Sequence, residues 1–264
     1  MNKFRIILLS LTVAFSGCMT TTNFDVSGVK RKQFMLYPSA QYAQETNMYY
    51  QDLMNKHRAN RQLDNKPELS QRVLKIAKNI TKQVQEIKPE TANWKWEIHV
   101  INTQEPNAFC AGEGKMGVYE GVITKLKLTD DELAAIIGHE IAHALLEHGR
   151  ERASRDVLTN VFLSKLDGGG QALGYYLTQL GLSLPFSRSQ ESEADLLGLQ
   201  IAAKAGYDPR AAITLWEKFG KLDQGSNNKF LSILSTHPMP DKRKQDLALA
   251  APKFMPFYEA AIKK

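Results

Sequence analysis

The order of hydrophobic and polar positions predicts a mainly helical chain that contains a small sheet. After Pro67, apolar residues recur every three or four positions, which predicts an amphipathic helix that packs by one face. This apolar stripe consists of Val73, Ile76, Ala77, Ile80, Val84 and Ile87. Residues 94–102 instead alternate between apolar and polar side chains, which predicts a half-buried strand with His99 on its exposed face. Residues 107–123 carry short β-prone pieces around glycines, so we expect a hairpin or neighbouring strands there.

Helix signals elsewhere predict that helices surround this sheet. We expect helices over residues 39–61, 190–205 and 209–222. Residues 156–186 almost lack charge and contain three consecutive glycines, which favours two buried helices joined by a turn. A cleft lining or a membrane contact is the alternative for that segment. After residue 228 we expect short helical pieces and a proline-containing tail.

The first eighteen residues have the pattern of an export signal. A basic start precedes an apolar stretch, residues 6–15, that is too short to span a bilayer comfortably. The following FSGC resembles a bacterial lipobox, with Phe15 where leucine is more usual, and this implies cleavage before Cys18 and lipid on its sulfur. A plain secretory signal or an uncleaved anchor is the alternative. The residue after the cysteine is Met19 and not an aspartate. By resemblance to enterobacterial lipoproteins, this implies sorting to the outer membrane.

These features divide the chain into a signal peptide (1–17), a polar, lipidated tether (18–38) and a single domain (39–264). The 264 residues are 43% hydrophobic and 23% charged, which suffices for a domain with its own core. The net charge of +6 is modest and no basic stripe with interleaved aromatic residues is present, so we expect no nucleic-acid partner. The basic run at residues 30–32 is interpreted as a solvated segment near a membrane.

The chain contains two cysteines, Cys18 and Cys110. If the first carries lipid, no intrachain disulfide can form and stability depends on packing. We interpret Cys110 as a buried, inert thiol, because no neighbour in the sequence suggests a low thiol pKa.

Residues 136–149, IIGHEIAHALLEHG, carry the strongest chemical signal in the chain. His139 and His143 are four residues apart and differ by only about 40° around a helix, so they share a face. Glu140 lies about 100° from His139 around the helix. From there its carboxylate can reach something bound by the two imidazoles without binding the metal itself. A Thr-x-x-Glu capping box at residues 129–132 predicts that a helix begins just before the motif. The pattern therefore predicts two zinc ligands and a general base; a buried helix with incidental polar residues is the alternative.

A catalytic zinc ion needs a third protein ligand, which must come from elsewhere in the chain. The metzincin pattern is excluded, because Leu146 and Gly149 stand where that class has glycine and histidine. His148 projects about 140° from His143 on a continued helix, and we interpret it as a helix-surface or second-layer residue.

The segment SQESEADLLGL, residues 189–199, offers carboxylates on a later helix. Glu191 and Asp195 are four residues apart and share a face, whereas Glu193 lies about 200° from Glu191 and points the other way. We expect Glu191 to be the third ligand and Asp195 to orient a liganding imidazole through its free N–H. An acidic, solvated helix face is the alternative.

Together, the motifs HEIAH, ESEAD, STHPMPDKR, NAFC and MGVYEG resemble the metallopeptidase family of HtpX and the type I CAAX prenyl endopeptidase, peptidase family M48. The resemblance covers roughly residues 60–250 and is closest to the soluble, lipobox-bearing members. It implies an α+β, mainly helical, zincin-like (gluzincin) domain with a small β-sheet beside the active-site helix and one Zn²⁺ ion. It also implies that a substrate adds as a further strand beside the cleft, at residues 116–119 or at Asn107, Ala108, Phe109 and Cys110.

A histidine at the position of His237 recurs in the soluble members of the family that this chain resembles. Pro238 restricts the backbone beside it, so we expect a loop to present the imidazole towards the cleft. The roles that remain open are donation to the developing oxyanion, occupation of the fourth zinc position, and a structural bond to nearby backbone. Arg243 could anchor this loop through a carboxylate that the sequence does not identify.

The resemblance implies a zinc-dependent endopeptidase of the bacterial periplasm, with Glu140 and His237 as catalytic candidates and lipid on Cys18 as the outer-membrane anchor. The expected substrates are unfolded or misfolded envelope proteins, since strand addition reads backbone shape more than side-chain sequence. The outer-membrane assembly machinery is a candidate partner. The alternative is a non-cleaving or dual-function lipid-tethered assembly factor or chaperone for outer-membrane proteins, although the intact Glu140 argues against a dead enzyme.

Overall fold

The structure of the protein is a computed structural model that describes residues 19–24, 29–156, 186–225, 236–238 and 241–263. In chain order its strands are β1 (Met19–Phe24), β2 (Val29–Phe34), β3 (Glu97–Ile101), β4 (Ala108–Ala111) and β5 (Lys115–Tyr119). Its helices are α1 (Ser39–Ala59), α2 (Pro67–Ile87), α3 (Glu120–Lys125), α4 (Asp130–Leu145), α5 (Arg188–Lys204), α6 (Ala211–Gly225) and α7 (Asp241–Ala261). The expected mainly helical α+β fold, with a small sheet beside the helix that carries the motif, is confirmed.

Helix α4 carries the His-Glu-x-x-His motif through the middle of the core. The Thr129 hydroxyl accepts a hydrogen bond from the Glu132 N–H and the Glu132 carboxylate accepts one from the Thr129 N–H, so the predicted capping box begins this helix. From Leu133 onward almost every residue of α4 is buried, which explains why its sequence is apolar on all sides. Helix α2 instead buries one face, which includes the predicted stripe from Val73 to Val84.

Helix α5 lies directly against α4 because both helices have glycine where they meet. A Cβ at Gly138 would lie 2.8 Å from the carbonyl oxygen of Gly198, and a Cβ at Gly198 would lie 2.9 Å from the backbone nitrogen of His139. Backbone atoms cannot rotate away as a flexible side chain can, so a larger residue at either position would push the helices apart. A second capping box, between Ser187 and Gln190, begins α5 beside α4.

A three-stranded sheet in the order β3-β5-β4 packs beside α4. Strands β4 and β5 form the expected hairpin, and β3 runs parallel to β5. The hairpin turns through left-handed conformations at Glu113 (φ 56°) and Gly114 (φ 79°), the second of which glycine adopts without strain. Residues 116–119 belong to the central strand β5, whose two edges are already paired with β3 and β4, so a substrate cannot add there. Within the described sheet, β4 offers an unpaired edge near α4.

Residues 19–34 include a pair of antiparallel strands, β1 and β2, where the sequence pattern predicts only a polar tether. The interpretation of the basic run as solvated is wrong for Arg31. Its guanidinium donates hydrogen bonds to the carboxylates of Glu151 and Glu193, which lie in the helical segment 148–156 and in α5. The N-terminal strands are thus attached to the domain by a residue of β2.

The remaining predictions of secondary structure have mixed outcomes. Helices α1, α5 and α6 match the expected helices to within a few residues at each end. The expectation of short helical pieces near the C-terminus is wrong, because α7 is one helix with Pro252 and Pro256 inside it. The signal peptide, Cys18 and residues 157–185 lie outside the described residues. Within the described ranges, no helix combines the length and hydropathy needed to cross a bilayer.

Candidate metal centre

Helices α4 and α5 bring two imidazoles and one carboxylate together inside the core. The Nε2 atoms of His139 and His143 lie 3.0 Å apart. Glu191 reaches both rings from α5: its Oε1 lies 3.4 Å from Nε2 of His143, and its Oε2 lies 3.5 Å from Nε2 of His139. His237, in the segment before α7, places its Nδ1 3.0 Å from Oε1 of Glu191. One ligand atom from each of these residues lies within 4.8 Å of the others, and we call this group the donor cluster.

The donor cluster fits a divalent metal ion such as zinc. Imidazole nitrogen and carboxylate oxygen are zinc ligands, and tetrahedral bonds of about 2.0–2.1 Å separate neighbouring ligand atoms by about 3.3 Å. The separations of 3.0–3.5 Å between these donor atoms match that spacing. Burial also lowers the pKa of His143, which keeps the imidazole neutral and leaves a lone pair available to a metal.

Glu140 lies next to the donor cluster without being one of its members. Its side chain is 4% exposed, and its Oε1 lies 3.5 Å from Nε2 of His237. That oxygen is buried without a hydrogen-bond partner in the described part of the chain. Burial raises the pKa of the Glu140 carboxyl, so this group takes up a proton more readily than an exposed glutamate. The position and the proton affinity suit a general acid and base.

Asp195 and Arg243 support the other ring nitrogen of His139. Oδ1 of Asp195 lies 3.0 Å from Nδ1 of His139. Arg243 donates to both Asp195 oxygens, at 2.5 and 2.8 Å, and its Nη1 contacts Glu191. It also donates to the carbonyl oxygen of Pro238 at 3.2 Å, which anchors the loop before α7. The structure therefore identifies the carboxylate partners that the sequence left unnamed for Arg243.

The position of His148 corrects one interpretation of the sequence. Helix α4 ends at Leu145, and Glu147 has a left-handed backbone conformation (φ 52°), so the helical projection does not extend to His148. The imidazole is fully buried, with Nδ1 3.0 Å from Nδ1 of His143 and Nε2 2.9 Å from Oε2 of Glu193. The surface interpretation is wrong, and His148 lies in a second layer behind His143. Glu193 points away from the donor cluster, in the direction that its spacing on α5 predicts.

A cleft along β4 opens onto the donor cluster. Its lining comprises Glu140, His143 and His237 together with the predicted strand residues Asn107, Ala108, Phe109 and Cys110. Cys110 is half-buried, and burial raises the pKa of its thiol, as expected for an unreactive side chain.

Phe186 and Arg152 are among the further residues of this cleft that sequence reasoning missed. The Phe186 ring stacks on His143 with a centroid separation of 4.0 Å, and the Arg152 guanidinium lies 4.2 Å from the centre of the Phe186 ring. Phe186 comes from a segment that meets α4 only in the folded chain, and Arg152 follows the break in the helix at residues 146–147, so helical spacing from the motif reveals neither.

Comparisons with known proteins find relatives whose names identify them as metallopeptidases or proteases. Mitochondrial metalloendopeptidase OMA1 of Schizosaccharomyces pombe is 44% identical over 153 residues, which cover 56% of this chain and 44% of that relative. Metalloprotease LoiP of Escherichia coli is 27% identical over 254 residues, which cover 93% of this chain and 96% of LoiP. Beta-barrel assembly-enhancing protease, also of Escherichia coli, is 27% identical over 209 residues, which cover 74% of this chain and 41% of that protein.

These relatives differ in how much of their length this chain represents. The chain matches less than half of the OMA1 protein from Schizosaccharomyces pombe, but nearly all of LoiP. A family model described as peptidase family M48 matches residues 65–250, a range that contains the donor cluster, Glu140 and the cleft strand. Because this match covers most of the chain, the protein belongs to peptidase family M48.

Proposed function

We propose that this protein is a zinc-dependent endopeptidase of the bacterial periplasm, tethered to the outer membrane by lipid. The observation that carries the proposal is the buried carboxylate of Glu140 beside the donor cluster, at a cleft bordered by β4. The names of two relatives, metalloendopeptidase OMA1 and metalloprotease LoiP, support peptide-bond hydrolysis as the activity.

Five polar residues of the site have roles in this proposed reaction. His139, His143 and Glu191 would hold the zinc ion, which supplies Lewis-acid polarisation of the scissile carbonyl and of the attacking water. Glu140 takes a proton from that water and returns it to the leaving amine; a carboxyl with a raised pKa suits both transfers. Asp195 places its Oδ1 3.0 Å from Nδ1 of His139, and this close contact with a carboxylate would orient the ring.

The edge of β4 that has no partner strand among the described residues supports an extended polypeptide as the substrate. A segment that pairs with Ala108–Ala111 by backbone hydrogen bonds would cross the cleft beside Glu140 and His143. Such pairing requires an unfolded segment and depends little on its side chains. Unfolded or misfolded envelope proteins are therefore the substrate class that we propose.

The location and the partners rest on different support. The signal-like residues 1–17 and the lipobox ending at Cys18 support lipid attachment at the outer membrane. The name of one relative, beta-barrel assembly-enhancing protease, connects a protease with β-barrel assembly, which supports the outer-membrane assembly machinery as a partner. The OMA1 relatives are mitochondrial, so the location needs a test that is separate from the test of activity.

We expect Glu140→Gln to lower casein hydrolysis by about 100- to 10,000-fold and to leave bound zinc unchanged, because the carboxylate acts as a base and not as a ligand. Fluorescent casein turnover and elemental analysis measure the two quantities. Glu217→Gln, an exposed exchange on α6, is the matched control. Loss of zinc from the Glu140 variant would contradict the base role. A wild-type protein without zinc-dependent hydrolysis would favour the non-cleaving assembly factor.

Glu191→Gln should weaken zinc binding more than Glu193→Gln, since Glu191 belongs to the donor cluster and Glu193 faces His148. For Glu193→Gln we expect a loss of no more than about a hundredfold, the upper range for outer-layer partners of a metal ligand. Competition with a chelator gives both dissociation constants. Equal losses, or a larger loss for Glu193, would show that the ligand has been chosen wrongly.

We expect His237→Ala to raise peptide turnover. Nδ1 of His237 lies among the donor atoms and its Nε2 faces Glu140, so the imidazole competes for the position where water must enter. If the imidazole fills that position in about nine molecules of ten, removing it raises the competent fraction, and with it the turnover, by about tenfold. Thr236→Ser is the control at the preceding position. A fall in turnover would assign His237 to the oxyanion instead, and an unchanged rate would leave it a structural role.

Cys18→Ser should abolish metabolic lipid labelling and release the protein from the outer-membrane fraction, because the sulfur of Cys18 is the proposed attachment atom. Cys110→Ser keeps the first cysteine and should leave labelling and fractionation unchanged. Labelling that persists in the Cys18 variant, or an unlabelled wild-type protein, would refute the lipobox interpretation.

A further inference from the structure

Strand β2 inserts a guanidinium between two carboxylates that lie behind the donor cluster. Arg31 donates through Nη1 and Nη2 to the two oxygens of Glu151, at 2.6 Å each. It also donates through Nε and Nη2 to the two oxygens of Glu193, at 2.6 and 3.1 Å. Paired, charge-assisted contacts of this kind restrict orientation as well as distance. The Glu151 and Glu193 side chains are 4% and 13% exposed, so solvent screens these contacts little.

Neighbouring amides hold this pair of contacts in place. Gln33, two residues further along β2, is buried and donates to the carbonyl oxygen of Leu146 at 2.7 Å, just beyond α4. Gln190, on α5, donates to Oε2 of Glu151 at 2.9 Å. The position of Arg31 is therefore determined by three parts of the fold: β2, the end of α4 and the start of α5.

The contacts continue from Glu193 to a predicted metal ligand. Nε2 of His148 lies 2.9 Å from Oε2 of Glu193, and Nδ1 of His148 lies 3.0 Å from Nδ1 of His143. If Nε2 of His143 provides the lone pair for a metal, its Nδ1 carries hydrogen and donates to His148. A neutral His148 that accepts at Nδ1 must donate at Nε2, and the Glu193 carboxylate is the acceptor there. Every donor in this chain of contacts thus meets an acceptor.

The second ligand histidine has an equivalent support on the opposite side. His139 is backed by Asp195, and Asp195 is held by Arg243 of α7. In both cases a carboxylate of α5 stands behind an imidazole of α4, and an arginine from a segment distant in the chain neutralises the carboxylate. The difference is that His148 is interposed between His143 and its carboxylate.

We propose that Arg31 is a positioning residue of the metal centre, which acts on His143 through Glu193 and His148. The N-terminal strand pair is then part of the apparatus that orients a zinc ligand, and not only a spacer between the membrane and the domain. This inference rests on the metal site of the proposed function, but it does not require that the protein cleave peptides.

The test measures zinc affinity in the full-length chain by competition with a chelator. Arg31→Met should weaken zinc binding by about ten- to a hundredfold, the usual effect of losing an outer-layer partner. Arg31→Lys keeps the positive charge but cannot hold both carboxylates with paired contacts. It should therefore weaken zinc binding, but by less than Arg31→Met. Lys32→Met, an exposed exchange at the next position of β2, should leave affinity unchanged.

A double-variant comparison separates positioning from general stabilisation. His148→Phe removes the link between Glu193 and His143, so adding Arg31→Met to it should cause no further loss of zinc affinity. Additive losses, or an Arg31 variant that unfolds at lower urea but binds zinc as tightly as the wild type, would overturn the inference. A wild-type protein that binds no zinc would overturn this inference and the proposed function together. Zinc effects as expected in a protein without peptidase activity would overturn only the proposed peptidase.

Discussion

The close approach of α4 and α5 at Gly138 and Gly198 is the constraint on which the site depends. A Cβ on either glycine would lie within 3 Å of backbone atoms of the other helix, so this separation is open only to glycine. Gly138 immediately precedes His139, and Glu191 lies two turns before Gly198 on α5. A wider separation would withdraw the carboxylate from both imidazoles, and the donor atoms would no longer share one small volume. The backbone contact therefore sets the geometry of the chemistry.

That approach also places several carboxylates of α5 in a low-dielectric interior, where unpaired charge is costly. The fold resolves this with arginines from both ends of the described chain: Arg243 pairs with Asp195, and Arg31 pairs with Glu193. The side chains of Arg243 and Asp195 are 3% and 8% exposed, and removing one partner of such a pair typically costs about 3–5 kcal/mol. The electrostatic requirements of α5 thus attach β2 and α7 to the same centre.

Features that depend on local sequence could be predicted, and features that depend on tertiary contacts could not. Spacing along a helix places Glu191 and Asp195 on one face and Glu193 on the other, and the capping box at Thr129 marks the start of α4. Spacing could not decide whether His148 lies on a helix surface or in a second layer, because the helix that would define its direction ends at Leu145. The two strands at residues 19–34 are short and polar, so their sequence gives little signal. The buried carboxylate partners of Arg31 lie 120 or more residues further along the chain, where local sequence cannot identify them. Continuous α7 contradicts the helix-breaking tendency of its two prolines, so packing outweighs local preference there.

Arg243 links the geometry of the ligands to the segment that carries His237. Arg243 holds Asp195 behind His139, contacts Glu191 in the donor cluster and donates to the carbonyl oxygen of Pro238. His237 precedes that proline, so the backbone that positions its imidazole shares an anchor with the ligands it approaches. The paired contacts to Asp195 restrict the orientation of the guanidinium that makes this anchor. The position of the His237 backbone and the orientation of the His139 ring therefore depend on one guanidinium.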